Sequence, residues 1–296
     1  MLSHPEPRHH TVQCASPGGL HHMAYVEWGD AANPDVLICV HGLSRVGRDF
    51  DRLAKALANR YRVVCPDVVG RGASGRLANP LLYGVPQYVS DMVTLIARLD
   101  VPQVDWFGTS MGGLIGMSLA GLPDSPIARG RKLLINDVGP TLDPAALTRI
   151  GQYIGVPRTF ASVEEATAAI KITSASFGLR TEAQWRELAG LVIRKNDDGT
   201  WRLHYDMRIG DAFRAVTPEQ AQAGEQVLWN LWANIKADTL VVRGEQSDLL
   251  SPATLQRMLD TNPLAASAEI AGAGHAPMFW DEDQIQIAKQ FFLGGS

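Results

Sequence analysis

Ser110 has the neighbours expected of a reactive serine. It lies in the stretch FGTSMGG (107–113), with Gly108 two positions before it and Gly112 two positions after it. The apolar run VDWFG before the serine predicts a strand, and LIGMSLAG after it predicts a helix. This spacing favours a nucleophile elbow, a sharp turn that exposes the hydroxyl, because only glycine lets the neighbouring strand and helix approach closely enough.

A serine hydroxyl needs a base to take its proton and a third group to orient that base. His275, in AGAGHAPMF, is the candidate base, and the flanking Gly272 and Gly274 predict a tight loop that projects the imidazole. Asp248, in RGEQSDLLSP, is the candidate acid. Both follow predicted strands, and the carboxyl ends of parallel strands are where ligands bind. The sequence therefore predicts a triad of Ser110, Asp248 and His275.

A second carboxylate competes for the role of the acid. Asp137, in INDVGP, also follows a predicted strand. It stands where the chain leaves for a long helical segment, so its carboxylate could simply cap that departure. We therefore favour Asp248, with Asp137 as the alternative.

The elements that must position these residues follow from the hydrophobic pattern. Over the first 140 residues, short β-rich runs alternate with amphipathic helical runs. DVLICV is almost wholly apolar, as a strand buried on both faces should be, and HHTVQCA and LHHMAYVEW flank a predicted hairpin turn at SPGG. Such alternation predicts a mostly parallel, doubly wound sheet with helices on both faces.

The alternation stops after residue 140. From Thr141 to about Ala237 the patterns are helical with few strands, and capping boxes begin at Ser162, Thr181 and Thr217. DTLVVRGEQSD then resumes the strand pattern. We predict an α/β core formed by residues 1–140 and 238–296, with a helical cap, 141–237, inserted between two strands.

Together these motifs resemble the α/β-hydrolase fold superfamily, in its cap-bearing, single-domain form. The resemblance is carried by LICVHGL, DVVGRGASG, GTSMGG, VVRGEQSD and GAGHAP, and by the chain order nucleophile, acid, base. It implies that the backbone N–H groups of Leu43 and Met111 form an oxyanion hole, and that His41 shapes the oxyanion turn. Met111 begins a helix, so its amide is unpaired and the helix dipole favours an anion there. RGEQSD also matches the superfamily's usual acid loop, which favours Asp248.

The expected function is hydrolysis of a carboxylic ester of a small to medium, partly apolar substrate through an acyl-enzyme, without a cofactor. Trp229, Trp232 and Met278 are candidates to line the substrate cleft, although packing of the cap on the core would also explain the tryptophans. A carbon–carbon bond hydrolase and a cofactor-free perhydrolase of the same fold are alternatives, though HGLSRVG departs from the turn usual in the former. A non-catalytic ligand-binding protein is the alternative from a different class.

Other partners are not favoured. The net charge is −4 with no basic tract, which argues against nucleic acid. MLSHPEPRHH has no apolar signal region and no segment is long enough to span a bilayer, so we expect a cytoplasmic protein acting on a small molecule. Oligomeric state does not follow from the sequence.

Three further motifs have simpler interpretations. GRGASG (70–75) fits a dinucleotide-binding pattern, but prolines interrupt the stretch after it, so no helix can follow. A hairpin turning at SPGG pairs Cys14 with His21, so the histidine pairs at 9–10 and 21–22 do not face each other and no metal site is expected. Arg45 and Arg48, beside the oxyanion turn, could hold a substrate carboxylate, but a solvated helix start is favoured.

Overall fold

The strands and helices of the chain follow the alternation read from the sequence. The computed structural model describes residues 6–294, so the predicted core at 1–5 and 295–296 lies outside the described residues. The strands are β1 (Arg8–Ser16), β2 (Gly19–Trp28), β3 (Val36–Val40), β4 (Arg62–Pro66), β5 (Asp105–Thr109), β6 (Lys132–Asn136), β7 (Thr159–Phe160), β8 (Ile193–Lys195), β9 (Trp201–Leu203), β10 (Asp238–Gly244) and β11 (Ala265–Ile270). The α-helices are α1 (Asp51–Leu57), α2 (Val85–Leu99), α3 (Met111–Ala120), α4 (Pro144–Gly151), α5 (Val163–Thr173), α6 (Glu182–Val192), α7 (Ile209–Ala215), α8 (Pro218–Asn234), α9 (Pro252–Thr261) and α10 (Glu282–Leu293).

Eight strands form one sheet in the order β1-β2-β4-β3-β5-β6-β10-β11. The strands from β4 to β11 in this order are parallel, whereas β2 is antiparallel to both β1 and β4. Every residue of β3 is fully buried, because helices cover both faces of the sheet. The predicted fold, a mostly parallel doubly wound sheet, is confirmed.

Apolar side chains pack on both faces of this sheet. On one face, Leu95 of α2, Ile115 of α3 and Trp232 of α8 belong to a single buried cluster. On the other face, Leu53 of α1 and Phe292 of α10 belong to a second cluster. Each such side chain contributes roughly 1.5–3 kcal/mol when fully buried, which holds the carboxyl ends of the strands in a fixed arrangement.

The N-terminal hairpin has the register expected from SPGG. Thr11 pairs with Ala24 and Cys14 pairs with His21. After β4 the chain runs through turns, a short 3₁₀ helix at Pro80–Leu82 and then α2, which begins at Val85, so no helix begins directly after the glycine-rich stretch at 70–75. Within residues 6–294 no helix has both the length and the apolar character needed to cross a bilayer.

The segment between β6 and β10 covers the carboxyl ends of the strands. It contains α4 to α7 and also a small sheet in the order β7-β9-β8, which the sequence analysis did not predict. Helix α8 lies inside the predicted cap, 141–237, yet it packs against α3 of the core, where a Cβ on Gly121 would lie 2.3 Å from the Leu231 carbonyl oxygen. The boundaries of the cap stay a prediction.

The three predicted helix starts are all present. Thr181 and Thr217 each cap a helix in a reciprocal capping box. Ser162 accepts a hydrogen bond from the Glu165 N–H, but Glu165 accepts from the N–H of Ala161 instead of returning the bond to Ser162. Each of these N-terminal capping residues stabilises its helix by about 1 kcal/mol. The helix starts within the segment 141–237 are therefore specified by nearby residues in the sequence.

Candidate active site

Ser110 occupies a strained turn between β5 and α3. Its backbone has φ 51° and ψ −114°, a conformation that costs free energy for a residue with a side chain. The flanking glycines make the turn possible. A Cβ on Gly108 would lie 2.2 Å from the carbonyl oxygen of Gly112, and a Cβ on Gly112 would lie 2.0 Å from the carbonyl oxygen of Val40. Both distances are too short for any residue with a side chain. The structure therefore has the sharp turn that the glycine spacing predicted.

His275 joins the serine to a buried carboxylate. Its Nε2 lies 2.9 Å from Ser110 Oγ, and its Nδ1 lies 2.7 Å from Asp137 Oδ2. Because Asp137 accepts a hydrogen bond from Nδ1–H, the neutral imidazole has a free lone pair on Nε2 that can accept the serine proton. The three side chains thus form a continuous hydrogen-bonded path from hydroxyl to carboxylate.

The expected contact between Asp248 and His275 is wrong. Asp248 has a side chain 48% exposed and pairs with Arg149, whose Nε lies 2.8 Å from Asp248 Oδ2. Asp137, the alternative, directly follows β6, the strand between β5 and β10 in the sheet. Asp248 lies farther along its loop after β10, and the loop has by then turned outward to the surface.

Asp137 is fully buried and held by the loop that carries the residue first favoured as the acid. The N–H of Gly244 donates to Oδ1 at 2.8 Å, and the hydroxyl of Ser247 donates to Oδ2 at 2.6 Å. The RGEQSD motif therefore supports the carboxylate that faces His275 through Ser247, a residue that was not predicted from the sequence. The carboxylate itself belongs to Asp137, which follows the neighbouring strand β6.

The turn after β3 contains the predicted oxyanion residue Leu43, which lines the cleft beside Ser110. Arg71 is buried and its Nε donates to the Leu43 carbonyl at 2.8 Å, which fixes the turn from behind. Met111 is the first residue of α3, as expected. The use of the Leu43 and Met111 N–H groups as an oxyanion hole stays a prediction.

His41 braces the same turn. Its Nδ1 lies 2.7 Å from the Gly42 carbonyl oxygen, and its Nε2 accepts a hydrogen bond from the N–H of Val68 at 2.9 Å. Burial lowers the pKa of His41 to about 3, so the ring stays neutral and Nδ1 carries the proton. This geometry agrees with the expectation that His41 shapes the turn.

The loop carrying His275 is fastened to both the cap and the sheet. The hydroxyl of Ser176, in the 3₁₀ helix Ala175–Phe177 of the cap, donates to the His275 carbonyl, and the backbone carbonyl oxygen of Ser176 accepts a hydrogen bond from the Gly274 N–H at 2.6 Å. From the sheet, Asn136 Nδ2 donates to the Pro277 carbonyl at 2.7 Å. Neither residue was predicted from the sequence, because neither lies in a recognisable motif.

A cleft of about 720 Å³, part of it open to solvent, leads to Ser110 and His275. Met278 lines this cleft, as expected, but Trp229 and Trp232 do not. The indole N–H of Trp229 donates to Thr141 Oγ1, and that of Trp232 donates to the Met258 carbonyl, each at 3.0 Å. Both tryptophans pack in the core because α8 lies on α3, so their expected place in the cleft is wrong.

The two arginines beside the oxyanion turn are paired within their own segment. Arg45 is buried, and its Nε and Nη2 each lie 2.7 Å from an oxygen of Asp49. Arg48, whose side chain is 38% exposed, pairs with Asp51. The expectation that both arginines lie at a solvated helix start therefore holds for Arg48 and is wrong for Arg45.

One buried cluster has donor atoms close enough to hold a metal ion. Ligand atoms of Cys14, His21 and Asp91 lie within 4.8 Å of one another. Burial raises the pKa of Cys14 to about 12, and the Asp91 charge adds to the shift. His21 Nε2 lies 3.0 Å from Asp91, which fastens the hairpin to α2.

Comparisons with known proteins agree with this fold. The profile of the Alpha/beta hydrolase family matches residues 37–289. The 3-hydroxybutyrate-oligomer hydrolase of Cupriavidus necator is 57% identical over 291 residues, which are 97% of this chain and 98% of that protein. Among solved structures, a protein from Rickettsia typhi is 29% identical with a TM-score of 0.87, covering 98% of this chain and 100% of that one. An alpha/beta hydrolase from Novosphingobium aromaticivorans is 31% identical with a TM-score of 0.83, covering 98% and 99%.

Proposed function

Because this chain belongs to the α/β-hydrolase family and is therefore a hydrolase, we propose that it cleaves carboxylic esters with Ser110 as the nucleophile. One observation supports this proposal above the others: the path from Ser110 Oγ through His275 to Asp137 lies at a cleft that a substrate can enter. A binding protein without catalysis would not need a serine on a strained turn with its hydroxyl on an imidazole nitrogen.

The proposed reaction has two steps. Ser110 Oγ attacks the ester carbonyl carbon while His275 Nε2 takes the hydroxyl proton, and the N–H groups of Leu43 and Met111 stabilise the oxyanion. His275 then gives the proton to the departing alkoxide, leaving an acyl group on Ser110. Water, activated by the same imidazole, releases the acid. Asp137 keeps Nδ1 protonated throughout, so Nε2 is always the nitrogen facing the serine.

We further propose short oligomers of a 3-hydroxyalkanoic acid as substrates. The Cupriavidus necator relative is named for 3-hydroxybutyrate oligomers, and it matches nearly the full length of both chains. The cleft combines apolar side chains with hydroxyl groups, as a small branched ester requires; these are Phe50, Ile150, Tyr153, Thr173, Phe177 and Met278. Carbon–carbon bond hydrolysis and perhydrolysis would use the same three residues, but the relative's name favours ester cleavage. A cytoplasmic location stays a prediction.

The test is hydrolysis of a 3-hydroxybutyrate trimer together with labelling by a fluorophosphonate probe. The wild-type protein should do both, and Ser110→Ala should lose labelling and about 10⁴-fold or more in kcat. Ser90→Ala, at an exposed position on α2, is the matched control and should behave as wild type. A loss in kcat of less than tenfold for Ser110→Ala would exclude the serine mechanism. Turnover of a dienoate formed by cleavage of an aromatic ring, without ester hydrolysis, would favour a carbon–carbon bond hydrolase.

A further inference from the structure

A second cavity of about 660 Å³, part of it open to solvent, adjoins the catalytic cleft beneath the cap. The two spaces meet along a common wall, because several residues line both; these are Ser44, Arg45, Tyr153, Thr173 and Phe177. A substrate longer than one hydroxyacid unit would reach the second cavity by passing between these shared side chains.

The second cavity carries an uncompensated positive charge. Of the arginines that line the two spaces, Arg45 is neutralised by Asp49, and Arg149 is neutralised by Asp248. Arg158 lines only the second cavity, and within residues 6–294 no carboxylate lies within 4.0 Å of its guanidinium. The described lining of this cavity includes no aspartate or glutamate.

The rest of the lining suits a chain of branched ester units. The lining contains both apolar side chains and hydroxyl groups, among them Val156, Phe160, Ile170, Leu203, Tyr153 and Thr173. The Tyr205 ring, also in the lining, lies close enough to Arg158 for the guanidinium charge to oppose the rise that burial gives to the Tyr205 pKa. Arg158 is exposed, so its guanidinium stands at the edge of the cavity, where a carboxylate that enters from solvent can meet it.

We propose that Arg158 binds the free terminal carboxylate of a hydroxyacid oligomer, so that the second cavity holds the carboxylate-terminal unit during cleavage. The proposal rests on the ester hydrolase function given above. A linear oligomer has one carboxylate, at one end, and a guanidinium is the side chain best suited to pair with it. Neither Arg45 nor Arg149 can do so without first losing its own partner.

This placement fixes which part of the oligomer leaves first. The bond between Ser110 Oγ and the carbonyl carbon forms, and the bond between that carbon and the ester alkyl oxygen breaks. His275 transfers the serine proton to the departing oxygen, which becomes the hydroxyl of the released, carboxylate-bearing unit. The hydroxyl-terminal part stays on Ser110 until water releases it. Hydrolysis therefore proceeds from the carboxylate end.

The experiment compares cleavage of the internal ester bond in the free 3-hydroxybutyrate dimer and in its terminal methyl ester. Wild type should prefer the free acid. Arg158→Gln should lower the ratio of kcat/KM for acid over methyl ester roughly tenfold, mainly through a higher KM for the acid, and Arg158→Lys should recover part of it. Arg186→Gln is the matched control, because Arg186 is an exposed arginine of the cap segment that pairs with Glu164 and lines neither space; it should leave the ratio unchanged.

Ionic strength gives an independent measurement, since added salt should reduce the preference for the acid in wild type and have little effect on the ratio in Arg158→Gln. An unchanged ratio in Arg158→Gln, or an equal loss on both substrates, would overturn the assignment of Arg158. Failure of the ester hydrolase proposal looks different, because wild type would then cleave neither substrate and would not react with the fluorophosphonate.

Discussion

At the residue scale, His275 depends on the group that faces its Nδ1. Asp137→Asn should preserve the fold but cost roughly 10²–10⁴-fold in kcat, because an amide that donates to Nδ1 places the proton on Nε2, where it blocks the serine. Asp248→Asn removes only a partly exposed partner of Arg149 and should change kcat less than threefold, an effect typical of a surface ion pair. Steady-state kinetics on a 3-hydroxybutyrate oligomer, with circular dichroism as the check of folding, measure both. If Asp248→Asn gave the larger loss, the acid would have to move to Asp248.

The sequence could not separate these two carboxylates, for a reason that applies to many parallel sheets. β6 and β10 are neighbours, so the loops after them reach the same space above the sheet. Which loop supplies the carboxylate and which supplies the supporting hydroxyl depends on where each loop turns. Local sequence carries no clear signal of that turn. Ser110 and His275, in contrast, were predicted because glycines mark the sharp backbone near each, on both sides of Ser110 and before His275.

At the scale of elements, the packing of α3 against β3 and β5 sets the position of Ser110. Gly112→Ala should lower the free energy of unfolding by about 3 kcal/mol, because the new Cβ would lie 2.0 Å from the Val40 carbonyl oxygen and the backbone must shift. Gly190→Ala is the matched control on α6, where a Cβ meets no atom within 4 Å among the described residues, and it should add about 0.5–1 kcal/mol. Urea unfolding measures both, and equal effects of the two substitutions would contradict the packing argument.

Helices and strands whose apolar residues recur at a regular spacing were predicted from the sequence, and those without such a spacing were not. The long apolar strands and the capped helices have repeating patterns, so the main sheet, the hairpin register and three helix starts followed from the residues. β7, β8 and β9 contain two or three residues each, too few to show alternation. Trp229 and Trp232 failed as cleft residues because a large apolar side chain gives the same pattern whether it packs in a core or lines a pocket.

At the scale of the whole molecule, Asp206 fastens the cap segment to the core. It is buried, and it accepts hydrogen bonds from Tyr83 Oη and Arg208 Nη2, each at 2.7 Å, while its N–H donates to the Gly70 carbonyl. Burial alone would raise the pKa of Asp206, but the bonds from Arg208 and Tyr83 outweigh it and lower the pKa below 3.8. A carboxylate with a lowered folded pKa contributes stability that is full above its unfolded pKa and is lost as the pH falls towards the folded value.

Asp206→Asn should therefore lower the free energy of unfolding by about 2 kcal/mol at pH 7. The deficit relative to wild type should shrink as the pH falls below about 4, where wild type loses its own contribution. Urea unfolding at several pH values measures this, with Asp197→Asn, at an exposed position, as the control. A deficit that stayed constant from pH 7 to pH 3 would show that Asp206 acts through shape and not through charge.

The bond between Ser176 and the His275 loop links entry to catalysis. Because the cap holds the His275 loop through two hydrogen bonds, an outward movement of the cap at this point must either break both bonds or carry His275 away from Ser110. If the proposed ester hydrolase function holds, substrates thin enough to enter past a closed cap should be cleaved faster than bulky polymer particles.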